Sequence, residues 1–277
     1  MPLRSSLQRA EETEAWSRAP AASPSPALTG IVTALAEELE PLVARASDVS
    51  RHPLAGARVL RGRLAGRQVV MTHTGVGPLR AGQGVRALLD AFPVTRLVGA
   101  GVAGGLSPGL DVGEVVVGRD VRGIGPAVNA PDEGWVARAL GGEPAPRRAV
   151  VVTVERLLWS GRSKTDLWRS LSADGAVVAD MESAAWARVA GERGIPYVVV
   201  RSVFDRAEDE LPEFLERCWD PEGGLSRAKI VRHALLRPRA MARVIAMGTR
   251  VRWCAARLAD VVEKLVAEGP ELPTEGR

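Results

Sequence analysis

The sequence predicts an α/β fold, a three-layer α/β/α sandwich around a central mixed sheet, with a long basic helical extension at its C-terminal end. Three observations carry this. Runs such as "AVVVTV", "GAVVAD" and "PYVVVRSV" are apolar at consecutive positions, so they read as strands covered on both faces. They alternate along the chain with longer segments of helical spacing. Two apolar runs also deliver charge at their carboxyl ends: "VVADMESAAWARVA" turns polar at Asp180 and Glu182, and "YVVVRSVFD" ends on Arg201 and Asp205. Ligands of α/β sheets bind beyond the carboxyl ends of the strands. The same acids also suit a helix N-terminus, where carboxylates satisfy free N–H groups.

Taken in order, "GIVTAL" from Gly30 is a strand, and a helix follows from about Glu37. "ARVLRG" and "QVVMTHT" are strands, and a helix begins after Pro78, a residue preorganised for the first helical turn. "RLVGAGVAGG" and "GEVVVGRDV" follow as strands, separated by Gly and Pro punctuation. The second half repeats the habit: "AVVVTV", a helix around Lys164 to Leu171, "GAVVAD", a helix from Met181, and "PYVVVRSV".

Residues 1–27, with "SRAPAASPSP" near their end and no helical or alternating period, predict a disordered extension, and they lack the continuous apolar core of a secretory signal. The expected organisation is then an α/β domain over 28–225, a basic amphipathic helical extension over 226–268 and a disordered tail over 269–277. No apolar run approaches the roughly 20 residues that a bilayer-spanning helix needs. Cys218 and Cys254 have no CxxC spacing, and His52, His73 and His233 do not cluster, so neither zinc nor a disulfide framework is expected and the cytoplasm is the expected compartment. Nine Lys or Arg and no acid lie between Arg227 and Ala259; without them the net charge of +4 becomes −5. Basicity is thus local, and nucleic acid is not an expected partner of the central site.

Two glycine-rich stretches stand out. "THTGVGPLRAG" follows a strand and opens a helix, so Gly75 and Gly77 offer backbone N–H groups to an anion. It is not a dinucleotide fingerprint, because Arg80 takes the place of the third glycine, and it lacks a GK[ST] ending. "GAGVAGGLSPGLDVGEVVV" crowds small residues at a strand end, where a ligand or another strand can approach closely.

Four segments, "GIVTALAEELEPLV", "THTGVGPLRAG", "GVAGGLSPGLDVGEVVV" and "VVADMESAAWARVAGERGIPYVVVRSVFD", together resemble the nucleoside phosphorylase and nucleosidase superfamily, in particular its methylthioadenosine/S-adenosylhomocysteine nucleosidase branch. The resemblance covers most of residues 30–209. It implies cleavage of the N-glycosidic bond of a purine nucleoside without metal or organic cofactor, in a homodimer or larger oligomer. It also implies roles. Glu182 holds the ribose 2′ and 3′ hydroxyls and Met181 packs beneath the sugar. Asp205 is the general acid that protonates purine N7, and Glu38 activates water. Thr74, Gly75 and Gly104 line the substrate site, while Gly77 and Arg80 are candidates for phosphate. Asp180 is read as a surface or helix N-terminal acid and Glu37 as solvated.

Departures from the pattern matter. Phe204, a substrate-binding candidate, stands where adenine-specific hydrolases place a serine to orient the general acid, which leaves open how Asp205 is held and which base stacks there. Gly99 and Val102 occupy the positions of a phosphate-binding arginine and serine of phosphorylases, which favours water over phosphate as nucleophile. The segment after Asp205, with "DELP", "DPEGGL" and "LLRPRAM", resembles the hopanoid-associated phosphorylase subfamily and implies an adenosylhopane-like substrate. Met241, Val244, Ile245, Val251, Leu258 and Val262 recur at helical spacing beside Arg239, Arg243, Arg250 and Arg257, a stripe suited either to a membrane surface or to packing on a protein. Phosphorolysis, hydrolysis of methylthioadenosine or S-adenosylhomocysteine, and a catalytically silent nucleoside-binding protein at the membrane stand as alternatives.

Overall fold

Nine strands hydrogen-bond into one mixed sheet in the computed structural model, which describes residues 27–54, 57–123, 125–141, 145–171, 175–220, 224–235 and 237–268. The strands are β1 (Thr29–Thr33), β2 (Ser47–Leu54), β3 (Ala57–Leu64), β4 (Arg67–His73), β5 (Arg96–Gly105), β6 (Val115–Arg122), β7 (Arg147–Thr153), β8 (Ala176–Asp180) and β9 (Tyr197–Asp205). Their order is β2-β3-β4-β1-β5-β8-β7-β6-β9. Because β5 pairs with both β8 and β9, the second half of the sheet closes into a ring of five strands. The carboxyl ends of β5, β8 and β9 are thereby brought together.

The helices between the strands are α1 (Ala36–Arg45), α2 (Pro78–Ala91), α3 (Glu133–Leu140), α4 (Gly161–Ser170) and α5 (Ser183–Glu192). After β9 come the single turn α6 (Phe214–Arg217), a small hairpin of β10 (Trp219–Asp220) and β11 (Gly224–Leu225), then α7 (Arg227–Leu235) and α8 (Pro238–Ala267). One face of the sheet packs on α2 and α5 through Val85, Leu88, Trp186 and Val189. The other packs on α1, α3 and α8 through Leu39, Leu42, Trp135, Val136, Leu258 and Val262. This is the expected three-layer sandwich.

The boundary drawn at residue 225 separates no cores, because the described residues from Leu28 to Glu268 belong to one compact unit. Cys254, Ala255, Leu258, Ala259, Val262, Leu265 and Val266 of α8 are buried, and most of them belong to the same apolar cluster as β1, β5 and β9. The two halves of the expected stripe therefore part company: the second half is a layer of the sandwich, whereas Ile245 in the first half is 62% exposed. Truncating a buried leucine removes transfer energy and leaves a cavity. Leu258→Ala is accordingly expected to cost about 2–5 kcal/mol in chemical denaturation, a loss typical of core rather than appended helices.

Besides the short α6, β10 and β11, two elements were not read from the sequence. β2 is an edge strand, mostly exposed, whose residues "SDVSRHPL" show no apolar run; Pro53 is tolerated there because an edge strand has spare backbone positions. α3 is short and is started by Asp132, whose carboxylate accepts from the Trp135 N–H at 2.8 Å. The helix expected from Met181 begins two residues later, at Ser183. The disorder expected for 1–27 and 269–277 lies outside the described residues, Ala27 excepted.

Candidate active site

β1 runs into α1 through Ala34 and Leu35, and the chain turns so sharply there that both N–H groups point at Glu38, one turn into the helix. They donate to its Oε2 at 2.9 and 2.8 Å, and Val102 N, on β5, donates to Oε1 at 2.9 Å. Glu38 is buried, and burial pushes its carboxyl above the ordinary range in spite of the Arg201 guanidinium and these three donors. Gly101 makes this geometry feasible. A Cβ there would stand 2.5 Å from Arg201 Nη1 and 2.9 Å from Glu38 Oε1, so only glycine lets the arginine and the carboxylate approach across β5.

Arg201 is the hub. It is fully buried, its Nη2 lies 2.6 Å from Asp180 Oδ2 and 3.9 Å from Glu182 Oε2, and it donates to Ser183 Oγ at 2.8 Å. Its guanidinium stacks over Trp186 at 4.7 Å. Asp180 is not a surface acid. It is buried, accepts the Thr153 hydroxyl at 2.7 Å and receives the backbone N–H groups of Glu182 and Ser183 at the start of α5. The helix N-terminal half of that expectation holds, and the solvent half fails because Arg201 needs a buried counter-ion. Glu37 is half-buried and does not line the cavity described below.

Glu182 accepts the Gly77 N–H at 2.9 Å. Burial first, then Asp180 and Glu38 nearby, outweigh Arg201 and push its carboxyl up to about 8. A carboxyl raised from 4.5 in the unfolded chain favours the folded state fully below 4.5, and that stability is lost as the pH rises through about 8. The midpoint of chemical denaturation should therefore fall between pH 5 and 8 in the parent and fall less in Glu182→Gln. Parallel curves would place the charge of Glu182 elsewhere.

At the end of β9, Asp205 is 3% exposed. Burial raises its carboxyl above the ordinary range, and the neighbouring ammonium of Lys164 opposes that shift. Lys164 lies on α4, is 1% exposed and donates to Asp205 Oδ2, to Arg206 O at 2.7 Å and to Asp209 O at 2.9 Å. Phe204 is buried beside it, with the Arg250 guanidinium 5.6 Å from its ring centroid.

A cavity of about 210 Å³ gathers Glu38, Gly104, Met181, Glu182, Phe204 and Asp205, six of the residues expected at the site. Its far wall is apolar, made by Leu211, Leu215, Ile230, Met247 and Val251 from the segment after β9 and from α7 and α8. Thr74, Gly75, Gly77 and Arg80 do not line it. The Thr74 hydroxyl is turned to Thr33 O at 3.2 Å, Gly75 N donates to Ala34 O at 3.0 Å, and Arg80 folds against Gly75. The Gly77 N–H that was expected to meet an anion is occupied by Glu182. The glycine loop thus supports a carboxylate through Gly77 and meets the cavity only through Val76.

Sequence reasoning missed Lys164, the apolar wall and the depth of Arg201. Lys164 sits in "GRSKTDLW" as an ordinary helical lysine, with no local signal that it would be buried.

Comparison with known proteins bears on this geometry. The profile of the Phosphorylase superfamily matches residues 29–236. A 5′-methylthioadenosine/S-adenosylhomocysteine nucleosidase of Marinomonas sp. (strain MWYL1) is 32% identical over 210 residues, 68% of this chain and 89% of that protein. The enzyme of the same name from Haemophilus ducreyi is 30% identical over 65% of this chain and 85% of its own. Among solved structures, S-adenosylhomocysteine nucleosidase from Streptococcus pyogenes in complex with 5-methylthiotubericidin superposes with a TM-score of 0.69 at 20% identity, covering 90% of this chain and 99% of that one. Futalosine hydrolase of Helicobacter pylori gives 0.68 at 19% identity, covering 89% and 100%.

Proposed function

Since the chain belongs to the phosphorylase superfamily, we propose that it cleaves the N-glycosidic bond of a purine nucleoside, with adenine as the base, water as the nucleophile and a bulky apolar group on the 5′ carbon. The observation that carries this reading is the division of one cavity into a carboxylate end, with Glu38, Glu182 and Asp205, and an apolar end built by the segment after β9 and helices α7 and α8. Glu182 binds the ribose hydroxyls, Met181 lies under the sugar and Phe204 stacks near the base. Asp205 protonates the base so that it leaves neutral. Glu38 takes a proton from water as the sugar develops positive charge.

Water is favoured over phosphate because the Gly77 N–H is already held by Glu182, and because Gly99 and Val102 offer no side-chain donor. The nucleosidase and hydrolase names of the relatives point the same way. The apolar wall favours a large 5′ substituent, such as the polycyclic lipid of an adenosylhopane-like nucleoside. A neighbouring concavity of about 700 Å³ shares Phe204, Leu211 and Met247 with the catalytic cavity and carries Arg217, Arg237, Arg243 and Arg250. Val231, Leu235 and Ile245 on α7 and α8 are exposed. Arginines with exposed apolar side chains between them suit peripheral contact with an anionic membrane by the segment from Arg227 to Ala259, at the inner face of the membrane of a cytoplasmic homodimer or larger oligomer. Among the described residues no helix is long and apolar enough to cross a membrane.

The test is a product assay. Adenine nucleosides bearing 5′-methylthio or long apolar 5′ groups are incubated with and without phosphate, and base and sugar are identified. Free adenine and a free sugar in phosphate-free buffer, with faster turnover of the larger apolar substrate, are expected. A strict phosphate requirement with a sugar 1-phosphate product would overturn the choice of nucleophile.

A further inference from the structure

The proton donor is held by a charge that comes from a different element of the fold. α4 begins at Ser160, whose side chain accepts the Ser163 N–H, and its first residue, Gly161, lies against the turn after β9; a Cβ there would stand 3.2 Å from both Ala207 O and Glu208 O. Leu211 N donates to Trp159 O at 2.8 Å and locks the same junction. This docking puts Lys164 Nζ among Asp205 Oδ2, Arg206 O and Asp209 O. An ammonium has three donors, and all three are used. Both Asp205 oxygens lie near Gly104 of the cavity wall, Oδ1 3.4 Å and Oδ2 3.8 Å from where a Cβ of that residue would stand, and of the two it is Oδ2 that Lys164 holds.

We propose that Lys164 is the positioning residue of the proton donor, pinning Asp205 Oδ2 so that Oδ1 alone carries the proton to the departing base. This rests on the nucleosidase reading. As the C1′–N9 bond breaks, its electron pair moves into the base, the Oδ1–H bond breaks and an N7–H bond forms. The base leaves neutral, and the negative charge is left on Asp205. The ammonium faces that new charge, so it stabilises the donor more after proton transfer than before it, which is the difference that accelerates a step. Its cost is that the same charge makes the resting donor easier to ionise, which burial offsets.

The other charged groups facing Asp205 are Asp209 in the following turn and Arg250 from α8, with Glu38 and Glu182 across the cavity. All of these remain when Lys164 is changed. Activity requires protonated Asp205 and falls as the pH rises through its titration. Removing a positive neighbour delays ionisation, so the basic limb must move to higher pH.

Lys164→Met, Lys164→Gln and Lys164→Arg are compared by circular dichroism and by the pH profile of kcat on an adenine nucleoside. In Met and Gln variants that remain folded, kcat should drop by roughly 10-fold to 10²-fold and the basic limb should rise by about one pH unit or more. Lys164→Arg should keep the limb where it is. Gln retains an amide donor to the two carbonyls, so it remains informative if Met does not fold. A carbon-13 carboxyl NMR titration, with the Asp205 signal assigned from Asp205→Asn, follows the same shift without turnover. If the parent cleaves no nucleoside, the nucleosidase reading fails while the titration still decides whether Lys164 controls Asp205. An unmoved limb or an unmoved titration in folded Met or Gln variants overturns the proposal.

Discussion

Asp205→Asn is expected to lower kcat by roughly 10²-fold or more while leaving nucleoside binding largely intact. The amide nearly matches the carboxyl in shape, and its oxygen can still accept from Lys164. It cannot release a proton to the base, which must then leave as an anion. Where Asp205 is ionised the variant should also be less stable, because the buried ammonium loses its counter-charge and keeps only neutral acceptors, the amide oxygen and the carbonyls of Arg206 and Asp209. Breaking a buried pair from one side costs about 3–5 kcal/mol. Steady-state kinetics with a denaturation curve separate the two effects. Unchanged kcat would remove Asp205 from the chemistry whatever the stability.

Glu38→Ala should be as damaging to turnover for a different reason. Water at neutral pH is a weak nucleophile, and a positioned base contributes about 10² to 10⁴ in rate. The substitution also strips the acceptor from the Ala34, Leu35 and Val102 N–H groups and leaves Arg201 facing a smaller negative charge. The loss should be equal with and without phosphate. Turnover rescued by phosphate, with a phosphorylated sugar as product, would mean that the anion and not water attacks.

The strands were legible because a strand covered on both faces must be apolar at consecutive positions, and "RLVGAGVAGG" matches β5 residue for residue. β2 was not, because an exposed edge strand needs no apolar pattern. At the site, Glu182 and Asp205 stood out because each lies at or just past the carboxyl end of an apolar run, whereas Glu38, Met181, Phe204 and Gly104 were named through the resemblance to the nucleosidase branch. The partners of the two key acids could not be named in either way. Arg201 meets Asp180 only because β5 pairs with β8 on one side and β9 on the other, and Lys164 meets Asp205 only because α4 docks on the turn after β9. Ring closure and helix docking are long-range events that no local spacing records. The glycine loop was misassigned for a related reason: its free N–H had a protein carboxylate within reach, 105 positions along the chain.

The place of α8 in the sandwich has a consequence for synthesis. Chains leave the ribosome from their N-terminal end, and domains fold as units. The sheet strands, residues 29 to 205, emerge well before the helix that packs on β5 and β9 on one of their faces. Until Leu258, Val262 and Leu265 are outside the tunnel, α1 and α3 alone are present to cover that face, and the part under α8 is an open apolar surface. A nascent chain arrested before those residues should bind chaperones that recognise apolar segments, and release from them should coincide with the emergence of the last three turns of the helix.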